Sequence, residues 1–190
     1  MQIKENGVLD SVEYLASSHS SPRPPNTFPN LLVIHCISLP PETFEVSTIK
    51  DFFCGKLKPN GDSYLESRAN MRVSSHLLLD REGAITQFVS FDDQAWHAGE
   101  SSFEGRGKCN EYSIGIELLG CETVPYTEGQ YQQLGKVSQL LMNQFPGITK
   151  ERIVGHSDIA PGRKTDPGDS FDWDLFKRNL ESARITHGFS

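Results

Sequence analysis

The residues best suited to chemistry by type and spacing lie in one stretch, Gly155-His156-Ser157-Asp158-Ile159-Ala160-Pro161-Gly162-Arg163-Lys164-Thr165-Asp166-Pro167-Gly168. His156 ends an apolar run, Asp166 follows ten residues later, and Lys164 stands two residues before that carboxylate. Imidazole nitrogen and carboxylate oxygen both suit zinc, and a catalytic zinc is held by three protein ligands with one position left open. Two such ligands are in this stretch, so a third must come from elsewhere. Pro161, Gly162, Pro167 and Gly168 argue against a helix and for a loop of fixed shape, able to return Asp166 to His156. The competing reading is a polar surface loop with one exposed histidine.

The positions of these residues depend on the strands that carry them. Leu31-Leu32-Val33-Ile34-His35 reads as a short strand buried on both faces and closed by His35. Alternation places Leu31, Val33 and His35 on one face and Cys36 on the other. Ile153-Val154-Gly155-His156 reads as a second strand that also closes with histidine. If the two are neighbours in one sheet, both imidazoles emerge at one edge, where Asp166 can join them as a His2Asp set. His76 and His97 compete for the third place. His76 falls inside a hairpin strand and His97 follows Trp96, so both read as packing or pocket residues.

In Ser113–Leu118, Ile114, Ile116 and Leu118 fill one face and leave Glu117 on the other, beside Gly115. A carboxylate on so apolar a strand needs a reason, because burying it ionised and unpartnered is costly. One reason is work as general base for zinc-bound water; the alternative is an edge strand facing solvent. Lys164 could hold positive charge against the oxyanion of a tetrahedral intermediate, or it is a solvated loop lysine.

Around this centre, Glu45–Phe53 is spaced for a short helix, while the aperiodic run from Gly55 to Arg72 reads as a long loop, a wall or lid. Ser74–Leu79 and Ala84–Val89 make a hairpin about Asp80-Arg81-Glu82-Gly83. A capping box, Thr127 with Gln130, opens a helix that Pro146-Gly147 stops, and Trp173, Phe176 and Leu180 mark a C-terminal helix. Residues 1–30 read as an extended surface arm with His19 solvated, and 185–190 as a frayed tail that includes His187. The sum is one α/β domain over residues 1–190, with a central sheet of about five strands flanked by helices.

The net charge of −7 argues against nucleic acid or an anionic membrane as partner, while leaving room for a local basic pocket. Met1–Asp10 has no apolar core of a signal peptide and no run reaches membrane-spanning length. Cys36, Cys54, Cys109 and Cys121 form no C-x-x-C pair and read as free thiols. These readings place the chain in the cytoplasm.

LLVIHCISLPP, SSHLLLDREGAITQFV, AWHAG, CNEYSIGIELLG and GHSDIAPGRKTDPG resemble, in that order, the zinc N-acetylmuramoyl-L-alanine amidases of the peptidoglycan-recognition-protein-like fold. The likeness extends from about Leu31 to Trp173 and is strongest to the cytoplasmic members that recycle cell wall. It implies a mixed sheet, one zinc held by His35, His156 and Asp166, Glu117 as catalytic carboxylate and Lys164 as transition-state stabiliser. The implied reaction cleaves the amide between the lactyl group of 1,6-anhydro-N-acetylmuramic acid and L-alanine in soluble muropeptides. Arg72, Trp96, His97, Arg106 and Lys108 fall where the resemblance implies contacts to sugar and stem peptide. A small-molecule substrate and a monomer are expected, with neither nucleic acid nor membrane as partner. One departure is Cys36, where members of this family often have Asn.

Overall fold

Apolar residues fill Leu77–Leu79, most of Leu31–Ile37 and one whole face of Ser113–Leu119, and such runs belong in strands covered on both faces. In the computed structural model, which describes residues 1–186, they are the buried middle of a sheet. The chain runs through β1 (Glu13–Tyr14), β2 (Ser20–Pro22), β3 (Leu31–Ile37), α1 (Val46–Phe53), α2 (Ser63–Glu66) and β4 (Leu77–Leu79). Then come β5 (Ile85–Gln87), β6 (Asp93–Ala95), β7 (Ser102–Phe103), β8 (Arg106–Gly107) and β9 (Ser113–Leu119). α3 (Glu128–Gln144), β10 (Ile153–Gly155), α4 (His156–Ile159) and α5 (Trp173–Thr186) follow. The main sheet has six strands in the order β1-β5-β4-β9-β3-β10, one more than expected. It is mixed: β4 and β5 are antiparallel, and every other neighbouring pair is parallel.

Register carries the site. His35 on β3 lies opposite Glu117 on β9, and Gly155 on β10 lies opposite Ile34. The two histidine-bearing strands are therefore neighbours, as the site requires. His35 does not close its strand, because Cys36 and Ile37 continue the pairing with Leu118 and Leu119.

Alternation divides the core between the two faces of the sheet. Leu32, Ile34, Ile114, Ile116 and Leu118 pack against Leu134, Val137 and Leu141 of α3 and Phe176 and Leu180 of α5. The Thr127–Gln130 capping box forms, and satisfies backbone donors that the first turn of α3 leaves open. On the opposite face α1 lays Ile49, Phe52 and Phe53 against Leu78 and Phe88, while Leu31 and Val33 pack with Ala98, Tyr112 and Ile159. His35 and Glu117 share this second face, away from the two long helices.

The arm over residues 1–30 departs from expectation. β1 adds an edge strand to the sheet beside β5, and β2 pairs antiparallel with β6. His19 is buried, with Nδ1 3.1 Å from the Val73 carbonyl and its ring stacked on Trp96. Arg23 donates to the carbonyls of Phe91, Asn110, Glu111 and Ser113. Burial lowers its pKa to about 10, where it stays charged at neutral pH. Strands of two or three residues have no period to read, and pairing across the chain alone defines them. Of the expected frayed tail, Ile185 and Thr186 belong to α5, and His187 lies outside the described residues.

Arg23 is thus a clamp between the arm and the segments that lead into β9. Cutting the side chain back removes these donors from all four carbonyls at once, and hydrogen bonds to a charged group contribute about 1.5–3 kcal/mol each. Arg23→Ala is expected to lower the unfolding free energy by about 3 kcal/mol, read from urea midpoints; a midpoint equal to the parent's would show the arm to be a passive wrapping.

Candidate active site

Three parallel neighbours, β9, β3 and β10, end on the same side, and the crevice beyond the carboxyl ends of such strands is where open α/β sheets bind ligands. His35 and Glu117 come off adjacent strands there, and His156 opens α4 directly after β10. The expectation of a loop without helix needs correction: His156–Ile159 makes one helical turn, and Pro161 and Gly162 end it instead of preventing it. The turn is pinned by the Asp158 carboxylate, which accepts from the Gly155 N–H at 2.7 Å. The Ala160 carbonyl then accepts from the N–H groups of Arg163 and Lys164, and Ser157 N–H donates to the Asp166 carbonyl at 3.1 Å. That last bond brings Asp166 back. Gly155 leaves room for it, since a Cβ there would come 2.9 Å from Cδ of Pro167.

Three atoms meet as a result. Nδ1 of His35 and Nδ1 of His156 are 3.0 Å apart, and each is 3.1 Å from Oδ2 of Asp166. Both histidines are buried and the Asp166 side chain is only 13% exposed. The far nitrogen of His156, Nε2, lies 3.1 Å from the Ala98 carbonyl, which only accepts, so the His156 proton sits there and Nδ1 turns a lone pair to the centre. His35 has its far nitrogen 2.9 Å from Nδ1 of His97. Burial, opposed by Asp166, lowers the His35 pKa and favours a neutral ring. Lone pairs and a carboxylate oxygen crowded together repel unless a cation lies among them. Ligands about 2.0–2.1 Å from a tetrahedral ion are about 3.3 Å from one another, close to this spacing. The donor set fits a divalent cation, and among the described residues no other group of three does.

Glu117 borders the same cleft, 9% exposed, and its Oε2 has no hydrogen-bond partner among the described residues. Burial above all, then Asp166, holds its carboxyl well above the ordinary range, with Lys164 pulling the other way. Lys164 lines the cleft and makes no ion pair among the described residues. The cleft encloses about 680 Å³, within the usual range for a small-molecule site.

Residues 24–169 match the family described as N-acetylmuramoyl-L-alanine amidase. The chain is 49% identical to the 1,6-anhydro-N-acetylmuramyl-L-alanine amidase AmpD of Haemophilus influenzae, over 93% of this chain and 96% of that one. To the AmpD of Escherichia coli K12 it is 47% identical, over 91% and 94%. The chain belongs to the N-acetylmuramoyl-L-alanine amidase family. The crystal structure of a selenomethionine AmpD derivative superposes with a TM-score of 0.91 at 46% identity, covering 95% of this chain and 99% of that one. A complex of the amidase AmiD from E. coli with anhydro-N-acetylmuramic acid-L-Ala-D-gamma-Glu-L-Lys gives 0.57 at 30%, covering 83% and 60%. The mixed sheet with its helices is the peptidoglycan-recognition-protein-like fold of these amidases.

Within this amidase cleft the structure brings together His35, His156, Asp166, Glu117 and Lys164, with His97 behind them. The other residues expected at substrate are not among those that line this cleft. Trp96 is half-buried, donates from its indole nitrogen to Ser21, and carries the Arg72 guanidinium 5.0 Å from its ring centroid. Arg106 sits on β8 over the Tyr112 ring, and Lys108 is exposed beside Glu111; neither lines the cleft. The segment from Gly55 to Arg72 does form a wall, through Tyr64, Arg68 and Met71, and it holds the short helix α2, so it is not structureless. Arg163 was not singled out in the sequence, yet it donates to the carbonyls of Ala98 and Glu100 and so ties two loops of the cleft together. Cys36 lines the cleft with its thiol kept protonated by burial, which makes it a poor metal ligand.

The unpartnered Glu117 carboxyl predicts a pH signature in metal-free protein. A carboxyl with a raised folded pKa contributes stability below its ordinary value of 4.5 and loses it as pH climbs through the folded value. Glu117→Gln is therefore expected to melt higher than the parent at about pH 8, with the gap closing toward about pH 5. Melting curves that stay parallel across this range would show that the carboxyl is not strained by burial.

Proposed function

We propose that this chain is a zinc amidase that hydrolyses the amide joining the lactyl group of 1,6-anhydro-N-acetylmuramic acid to L-alanine in soluble muropeptides, a step of peptidoglycan recycling. The observation that carries the reading is the triangle of His35, His156 and Asp166 acceptors beside Glu117 and Lys164 in one cleft. High identity to AmpD enzymes, and the anhydromuramyl peptide held by the related AmiD, support the substrate.

His35, His156 and Asp166 would hold one zinc, whose chemistry is to polarise the scissile carbonyl and acidify water. Glu117 accepts the proton of the attacking water, for which a carboxylate with a raised pKa is suited at neutral pH. As the C–N bond breaks, Glu117 returns that proton to the leaving nitrogen of L-alanine, leaving a free lactyl carboxylate and a free amine. Lys164 holds its ammonium toward the carbonyl oxygen as negative charge develops on it. Dry walls around Glu117 strengthen both interactions. All of the residues named here come from one chain, which supports a monomer as the working unit. Four free thiols suit a reducing cytoplasm, and no helix among the described residues is long and apolar enough to cross a membrane.

Purified protein should release the stem peptide from anhydromuramyl peptide, lose the activity to a chelator, and regain it with zinc. His156→Ala should lose metal and activity together. Glu117→Gln should keep the zinc and lose about a hundredfold to ten-thousandfold in kcat with KM little changed. Activity that survives metal removal would defeat the proposal, and a preference for intact sacculi over the soluble peptide would move the enzyme to polymeric wall.

A further inference from the structure

His97 contributes no atom to the acceptor triangle, yet it controls what one corner presents. Its Nε2 lies 3.0 Å from Oγ of Ser113, and that hydroxyl lies 2.6 Å from the Cys109 carbonyl. A carbonyl only accepts, so the Ser113 proton points at Cys109 and its lone pairs face His97. His97 must then carry its proton on Nε2, which leaves Nδ1 an acceptor. Among the described residues, the group in front of that acceptor is Nε2 of His35, at 2.9 Å. A neutral imidazole has a single N–H, so the His35 proton is drawn to the far side and a lone pair is left on Nδ1, facing His156 and Asp166.

We propose that His97 is a positioning residue that sets the tautomer and ring plane of His35, through a chain of donors ending on the Cys109 carbonyl, and so gives the triangle its affinity for metal. The proposal rests on reading the triangle as a metal centre. Two further features show that the place is built for this ring. β9 passes so close behind it that a Cβ on residue 115 would lie 2.5 Å from Cγ of His97, and residue 115 is Gly. The backbone under the ring is fixed as well, because Asn110 Oδ1 accepts from the N–H groups of both His97 and Ala98, at 3.1 and 2.8 Å. The adjoining residue serves the other histidine: the Ala98 carbonyl accepts from Nε2 of His156 and from Arg163. Two consecutive residues thus orient both imidazoles from behind, and loss of such an outer partner typically costs about tenfold to a hundredfold in metal affinity.

The test compares His97→Leu, which removes both hydrogen-bonding atoms, with His97→Gln, whose amide oxygen can accept from His35 while its NH2 donates to Ser113. Zinc dissociation constants come from competition with a chromophoric chelator, with circular dichroism as the check on folding. His97→Leu is expected to weaken zinc about tenfold to a hundredfold, and His97→Gln to stay within about threefold of the parent. A second measurement needs no variant: nitrogen-15 NMR of the metal-free parent should find His35 with its proton on Nε2. A folded His97→Leu that binds zinc like the parent, or a His35 proton on Nδ1, would overturn the proposal while leaving the metal centre standing. A parent chain that binds no zinc would instead overturn the reading of the triangle, and this inference with it.

Discussion

Three acceptor atoms held about 3 Å apart are a local cost, since each would be better placed against water or a donor. The rest of the site can be understood as what keeps them there. Parallel pairing of β3 with β10 puts the two histidine backbones side by side, and β3 from Leu31 to His35 is buried on both faces, where its register cannot slip without moving core residues. The Ser157 to Asp166 backbone bond closes the third corner. The far nitrogens are engaged by His97 and Ala98, so neither ring can turn to escape its neighbours. The arrangement becomes favourable once a cation occupies it, and metal binding and local order are then one equilibrium.

Glu117 is a second cost of the same kind. A glutamate on the central strand, with one carboxylate oxygen buried and unpartnered, weakens the metal-free fold. Its neighbours do not relieve it: Asp166 repels it, and only Lys164 opposes that repulsion. Sites of chemistry are where sequences keep such groups, because a carboxylate already solvated or paired would hold a proton less readily at neutral pH. The apolar mass on the other face, where α3 and α5 cover β3 and β9, is what tolerates the strain.

The centre was legible in the sequence because its residues interrupt strong patterns. His35, His156 and Glu117 stand in runs of Leu, Ile and Val, where any polar residue is conspicuous, and the Thr127–Gln130 box announced α3 without help from tertiary structure. What stayed hidden depends on partners far along the chain. β2 is a strand only because it meets β6 across more than seventy residues, and Arg23 is a clamp only because four carbonyls from distant loops converge on it. His97 could be seen as a pocket residue but not as a partner of His35, since Ser113 and Gly115, which define its environment, come from another strand. Arg106 and Lys108 were placed toward the substrate by resemblance, with their charge in support, and the β7–β8 hairpin sets them beside Tyr112 and Glu111, contacts that sequence spacing does not reveal.

Charge shows the same distinction between what a chain contains and where the fold places it. The protein is acidic overall, yet its cleft receives Arg68, Arg163 and Lys164, and these do not act alike. Arg163 donates to backbone carbonyls, and Arg68 lies 3.8 Å from the centroid of the Tyr64 ring in the wall made by the segment from Gly55 to Arg72. Among the acids, Glu122 accepts from Thr165 and Glu42 from Thr123, which ties together the loops that follow β3, β9 and β10. These carboxylates act as struts between loops. Lys164 lines the reacting end of the cleft and, among the described residues, has no ion-pair partner. A lysine anchored to a neighbouring carboxylate would have had to break that pair as the oxyanion formed, so an unpaired one can meet the developing charge with little reorganisation.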